Sequence, residues 1–289
     1  MDAFHGPFPM SELTWQIPDR LFRFGRPLVM GIVNVTPDSF SDGGKYFDAQ
    51  AAINRGMELA SQGADILDVG GESTRPGSQP VPLDEELRRV VPVAKALASQ
   101  TGIPISIDTS KAAVAKEAVA AGATIINDVT ALRGDPAMTE LARTTGAGVI
   151  LMHMQGTPPT MQDDPRYEDV CREVHEFLDK RLNEVEAAGI PRSRLVVDPG
   201  IGFGKRHAHN LTLLSKLDRL HSLGRPLCLG VSRKGFIGKI TGRTVADSMI
   251  GSVAVACHAM ARGAAQILRV HDVAATVDAV KIFEALNAK

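Results

Sequence analysis

The sequence predicts an α/β fold, a single (β/α)8 (TIM) barrel with a short N-terminal lead-in, and three observations carry that reading. Short apolar runs recur eight times along the 289 residues. They lack the apolar–polar alternation of a half-exposed strand, as strands covered by helices on both sides require. Segments of period near 3.6 separate them, giving a strict β-then-α alternation. Polar groups gather where the runs end, and a barrel of this kind builds its site at the C-terminal ends of its strands. An open doubly wound sheet is the competing arrangement. It needs a Gly-rich turn after the first strand, and none stands there.

Residues 1–26 form the lead-in, whose Pro7, Pro9, Pro18 and scattered aromatics suggest a segment packed against the barrel domain of residues 27–289. The expected strands are Leu28–Asn34, Ala64–Gly70, Ile103–Asp108, Ala123–Asp128, Gly148–His153, Arg194–Asp198, Pro226–Ser232 and Gln266–His271. The expected helices begin with Asp48–Gln62, which places Ile53, Met57 and Ala60 on one face. Asp84–Ser99 follows, where Pro92 predicts a kink or a short N-terminal turn. Then come Ser110–Ala121, Pro136–Thr145 and Tyr167–Ala188, the last with a stripe through Val170, Val174, Phe177, Leu178, Leu182 and Val185. Asn210–Leu223, Val245–Arg262 and Val273–Asn287 complete the set.

Composition narrows the function. Hydrophobic content of 44% and charged content of 22% suit a globular enzyme with a large core. A net charge of −1 offers no bulk attraction to nucleic acid or to an anionic membrane. Aromatic content of 4%, with the single Trp15, argues against a stacking surface for single strands. Cys171, Cys228 and Cys257 are odd in number and lack Cys-x-x-Cys spacing, so a reducing, cytoplasmic setting is expected. The N-terminus shows no basic segment followed by an apolar one, and no run approaches a membrane span.

The strand ends read Asn34, Gly70-Gly71-Glu72-Ser73-Thr74-Arg75-Pro76-Gly77, Asp108, Asn127-Asp128, Met152-His153, Asp198, Ser232-Arg233-Lys234 and Arg269-Val270-His271. Nearly every tip carries a group able to bond a polar heterocycle, a metal or a phosphate. Lone strand-end aspartates often cap the next helix. Asp108, before Thr109-Ser110, fits that role too, and Asp128 reads as structural more than catalytic. Arg269 and His271 lie two apart on one strand, hence on one face, and suit an anion such as a diphosphate. Pro199–Lys205 has the glycines and lysine of a phosphate loop at the wrong spacing, with Arg206 where Ser or Thr should follow. A flexible loop after a strand is the better expectation there.

The most informative stretch is Met-Gly-Ile-Val-Asn-Val-Thr-Pro-Asp-Ser-Phe-Ser-Asp-Gly-Gly, residues 30–44. It resembles the first signature of the dihydropteroate synthases. Gly-Gly-Glu-Ser-Thr-Arg-Pro-Gly is similar to that family's second mobile loop, and Ile-Asp-Thr-Ser, Ile-Asn-Asp-Val, Met-His-Met, Val-Asp-Pro-Gly-Ile-Gly-Phe-Gly-Lys, Ser-Arg-Lys-Gly-Phe-Ile-Gly and Leu-Arg-Val-His-Asp match later motifs in order. Gly235, where serine is common, and Ile201, at a variable position, depart from the usual pattern without touching the reactive residue types.

The resemblance implies condensation of a dihydropterin diphosphate with 4-aminobenzoate, with Mg²⁺ as cofactor and a homodimer as the assembly. It implies pterin-pocket roles for Asp108, Asn127, Asp198 and Lys234, and diphosphate contacts from Thr74, Arg269 and His271. Asn34 would be the metal ligand; Asp42 and Arg75 would act in catalysis with Asp108 and Asp198; Phe40, Pro76, Phe203 and Ser232 would line the aminobenzoate pocket. The helix at 245–262, apolar almost all round, is consistent with a dimer face. A pterin-binding methyltransferase domain and a catalytically silent pterin-binding paralogue are the competing functions.

Overall fold

The computed structural model describes residues 13–36, 49–75 and 77–287. Strands β1 (Thr14–Ile17) and β2 (Arg20–Arg23) form an antiparallel hairpin. The next eight strands are parallel: β3 (Leu28–Asn34), β4 (Ile66–Gly70), β5 (Ile105–Asp108), β6 (Ile125–Asp128), β7 (Gly148–Met152), β8 (Leu195–Asp198), β9 (Cys228–Gly230) and β10 (Ile267–Val270). Their order around the sheet is β8-β7-β6-β5-β4-β3-β10-β9. A bridge between Val197 and Leu227 brings the two end strands together, closing the expected (β/α)8 barrel.

Helices α1 (Ala49–Ser61), α2 (Leu83–Thr101), α3 (Ala112–Ala120), α4 (Met138–Thr145), α5 (Val170–Ala187) and α6 (His207–Ser215) each follow one strand. Helices α7 (Gly235–Thr241) and α8 (Met249–Ala261) both follow β9, and α9 (Val273–Asn287) follows β10. Pro92 lies inside α2, which runs on past it to Thr101, so no separate short turn precedes the helix. Another segment differs from the sequence reading. The segment 210–223 divides at Lys216, whose φ of −130° breaks the helix, and continues as a 3-10 stretch, Leu217–Leu223.

Strand alternation sorts the core into two shells. Val29, Val33, Leu67, Val69, Ile107 and Ile126 join the shell between barrel and helices. Met30, Ile66, Ile125, Ile150, Val196, Cys228 and Ile267 form a second cluster with Trp15, Ile17, Phe22 and Phe24 of the hairpin region. These inward residues come early in their strands, so the hairpin seals the N-terminal end of the barrel. Trp15 is fully buried, and its indole N–H donates to the Arg194 carbonyl at 2.9 Å. The polar residues two places further along the same strands are thereby left to the opposite end.

The hairpin sits directly on Gly148, where a Cβ would stand 2.6 Å from Ile17 Cγ2 and 3.0 Å from the Trp15 ring. Gly148→Ala should therefore overpack this seam and cost about 1–3 kcal/mol. Urea denaturation checks it. A wild-type midpoint would show that the hairpin yields freely.

Candidate active site

Asp68, Asp108, Asn127 and Arg269, from β4, β5, β6 and β10, form the centre of the barrel mouth. The register sets Asn34 opposite Gly70, Gly70 opposite Asp108, and Asp108 opposite Asn127. One turn of alternation below Gly70, Asp68 points into the same space and is fully buried. Arg269 joins them: its Nε donates to Asp68 Oδ2 at 2.6 Å and one Nη to Asp108 Oδ2 at 2.6 Å. Asn127 Nδ2 donates to the same Asp68 oxygen at 3.1 Å. Glycine at 70 makes room, since a Cβ there would lie 3.3 Å from that of Asp108.

The electrostatics follow from two carboxylates sharing one guanidinium in a dry place. Burial pushes Asp108 up to about 7; Arg269 opposes this and Asp68 reinforces it. Burial also works against the Arg269 charge, but Asp68 and Asp108 outweigh it and hold the guanidinium above its ordinary value. Asp68 Oδ1 has no hydrogen-bond partner. A mouth that is net acidic and incompletely paired suits a ligand rich in N–H donors.

Asp198 and Lys234 stand beside this centre. Asp198 is buried, and its Oδ1 accepts the Gly200 N–H at 2.7 Å. Burial pushes its carboxyl up, against that hydrogen bond and the charges of Lys234, Arg269 and Lys205. Lys234 is pushed down to about 8 by burial and by Arg269, with Asp198 and Asp108 resisting. Its ammonium lies 4.1 Å from the centre of the Phe203 ring, a cation–π contact joining two of the expected pocket residues.

Ser232 and His271 are joined. The Ser232 hydroxyl accepts the His271 backbone N–H at 3.1 Å and lies 3.1 Å from Nδ1 of the ring. A hydroxyl accepting from one and donating to the other leaves the ring proton on Nε2. Burial, with Arg269 and Arg233 nearby, pushes His271 down to about 3, so the ring is a neutral donor. Ser232, expected in the aminobenzoate pocket, thus sets its hydroxyl against His271 just past β10. Thr74, half-buried, lines a cavity of about 140 Å³ together with Glu72, Asp108, Thr109 and Val129. Arg75 is exposed. Phe40, Asp42 and Pro76 lie outside the described residues.

The loop 199–205 departs from expectation. It is packed and not slack: Gly200, Gly204 and Lys205 are buried. The glycines are required by contact, because a Cβ on Gly200 would stand 1.9 Å from the His153 carbonyl oxygen, and one on Gly204 2.3 Å from that of Gln155. Positive φ of 64° and 57° at these two positions adds a second reason. Asp128 takes the structural role foreseen for it, accepting the Thr130 N–H at 2.7 Å and the Leu132 N–H at 3.0 Å. Asp108 does not cap α3; Asp135 accepts the Ala112 N–H at 2.9 Å instead.

Sequence reasoning missed Asp68, and it named Lys205 and His153 without joining them. A carboxylate inside an otherwise apolar run, as in Ile-Leu-Asp-Val-Gly, was a usable signal, because charges are buried only when paired. The Lys205–His153 contact had no local signal, being made across 52 residues.

The family model described as pterin binding enzyme matches residues 30–271. The dihydropteroate synthase of Neisseria meningitidis serogroup B is 49% identical over 284 residues, covering 96% of this chain and 99% of that protein. The Xanthomonas albilineans dihydropteroate synthase solved with 4-aminobenzoic acid superposes at a TM-score of 0.89, with 50% identity, covering 96% of this chain and 98% of that one. The same enzyme in complex with 7,8-dihydropteroate gives 0.86, 47% identity, and coverage of 96% and 99%.

Proposed function

The chain belongs to the dihydropteroate synthase family of pterin-binding enzymes, and we propose that its barrel mouth holds a dihydropterin diphosphate for attack by 4-aminobenzoate. The product is 7,8-dihydropteroate. The observation that carries the assignment of roles is the cluster of Asp108, Asn127, Asp198, Lys234 and Arg269 at the C-terminal ends of the barrel strands. Asp108 and Asp198 receive the donor edge of the pterin, while Asn127 and Lys234 meet its ring acceptors. Arg269 spends two of its five donors on carboxylates, leaving others for the diphosphate alongside His271 Nε2 and the Thr74 hydroxyl.

The reaction needs no protein nucleophile. The bond from the pterin methylene to the diphosphate oxygen breaks, its electron pair leaving with the diphosphate. The arylamine nitrogen then bonds the methylene carbon and gives up a proton. Positive charge on the pterin is stabilised by Asp108 and Asp198, and negative charge on the leaving group by Arg269 and His271. Arg75 and Asp42 complete the reacting end; Phe40, Pro76 and Phe203 enclose the arylamine ring and keep water out.

Asn34 fits a magnesium ion. Its half-buried amide heads the row Asn34–Gly70–Asp108, and among the described residues no cluster of three His, Cys, Asp or Glu offers a closed metal cage. Magnesium takes few protein ligands when substrate phosphates and water supply the rest. When bound, it neutralises diphosphate charge. The testing experiment is dihydropteroate formation from both substrates with and without Mg²⁺. Turnover that requires the metal is the expected result; absence of turnover would favour a methyltransferase domain or a silent paralogue.

Two further outcomes are expected. Aminobenzoate should bind poorly to the free enzyme in calorimetric titration and tightly once a pterin and Mg-diphosphate are present, and linkage requires the reciprocal effect. Equal affinity in both states would mean a preformed pocket. The protein should also sediment as a homodimer at micromolar concentration. Ile250, Met249 and Cys257 on α8 and Ile282 and Leu286 on α9 are exposed, and the two helices pack together. A monomer would refute this. No helix among the described residues is long and apolar enough to cross a membrane.

A further inference from the structure

Among the described residues, Lys205 is the most deeply buried lysine or arginine outside the site just described, at 2% exposure. Its ammonium lies 2.9 Å from the Gly200 carbonyl oxygen, 3.0 Å from that of Phe203 and 2.8 Å from His153 Nδ1. With the His153 carbonyl oxygen at 3.5 Å as a longer fourth contact, all three N–H donors of the head group are met. Burial pushes His153 down to about 2, which keeps its ring neutral and able to accept. Both carbonyls belong to the loop between β8 and α6, so the side chain turns back and fills the loop from inside. The loop has no slack around this peg. Gly200 and Gly204 are seated against the backbone at His153 and Gln155, and Gly202 N–H is held by Asn210 Oδ1 at 2.7 Å. Phe203 is the residue whose carbonyl Lys205 grips and whose ring packs on Lys234.

We propose that Lys205 is a positioning residue for the second substrate: its buried head group fixes the loop so that the Phe203 ring forms one wall of the aminobenzoate pocket. This rests on the reading of Phe203 given above. Without the peg, the two carbonyls lose a buried donor and the loop loses the lysine's tie to His153, just past β7. Asp108, Asn127 and Arg269 stand on β5, β6 and β10, clear of the loop, while Asp198 meets it at the Gly200 N–H and Lys234 at the Phe203 ring. The effect should therefore fall mainly on the arylamine.

Lys205→Met keeps the length of the side chain and removes its donors. We expect the KM for 4-aminobenzoate to rise at least about tenfold, while the calorimetric Kd for a pterin ligand stays within about threefold. Placed on Phe203→Ala, the same change should add less than about twofold, because a residue acting through Phe203 has nothing left to position. If Lys205→Met does not fold, Lys205→Gln, which keeps a donor for one carbonyl, should show the same selective rise in smaller measure. An unchanged aminobenzoate KM, equal losses for both substrates, or a full Lys205 effect on the Phe203→Ala background would each overturn the inference. Phe203→Ala that leaves the aminobenzoate KM untouched would remove the reading of Phe203, and this inference with it.

Discussion

Arg269→Ala should destabilise the protein by about 3–5 kcal/mol and lower kcat/KM by about 100-fold or more. Among the described residues, Arg269 is the one cation bonded to both Asp68 and Asp108, and Asp68 is wholly buried. Its removal leaves Asp68 with only the Asn127 amide as donor. A surface pair would be worth little, but here the cost is that of an uncompensated buried charge. The pH dependence has a definite sign. Asp108 is already raised to about 7 with Arg269 in place, so the folded state binds its proton more tightly than the unfolded chain does. That proton contributes stability at low pH which is lost as pH rises toward the folded value. Without Arg269 the value rises further, so the deficit of the variant should grow from pH 5 to pH 8. Urea denaturation across that range, with an Asp68→Asn, Arg269→Gln double variant regaining most of the loss, tests the account. Wild-type stability in Arg269→Ala at pH 8 would contradict it.

Asp198→Asn should weaken pterin binding by about 10- to 100-fold while the melting temperature stays within a few degrees of wild type. The two expectations have one origin. Asn retains the oxygen that accepts the Gly200 N–H, so the local turn is kept. Burial already disfavours the charge on Asp198, so removing it costs the fold little. A ligand presenting N–H donors, in contrast, loses a charge-assisted acceptor and meets an amide in its place. Lys234→Ala should act in the same direction, losing a ring-facing donor and the packing on Phe203. Calorimetric titration with a pterin ligand measures both. Undiminished affinity in either folded variant would remove that residue from the pocket.

The barrel itself was legible because its signals are local. Strands covered on both faces need unbroken apolar runs, and helices need a stripe of period 3.6. The run Leu28–Asn34 and the helix Val273–Asn287 therefore appear with the boundaries expected of them. The candidate site was partly legible for a related reason. A strand that ends at the barrel mouth turns polar there, which exposes Asp108, Asn127 and Asp198 to inspection.

Pairing across the closed sheet was not legible. Asp68 meets Arg269 across 201 residues only because closure sets β10 beside β3. Until that partner is known, a lone aspartate in an apolar strand has no assigned role. The hairpin of β1 and β2 is similar: Trp15 and Ile17 show their use only when eight strand beginnings leave a floor to be sealed. Lys205 gives the clearest contrast. Beside three glycines it read as the end of a slack loop, yet contact with His153 and Gln155 turned the glycines into points of close approach and the lysine into the loop's interior support. Periodicity and turn chemistry are written residue by residue, so the sequence alone determined the elements and their polar ends. Which polar ends neutralise, hold or free one another depends on distances that exist only after closure, and the tertiary structure alone decided that.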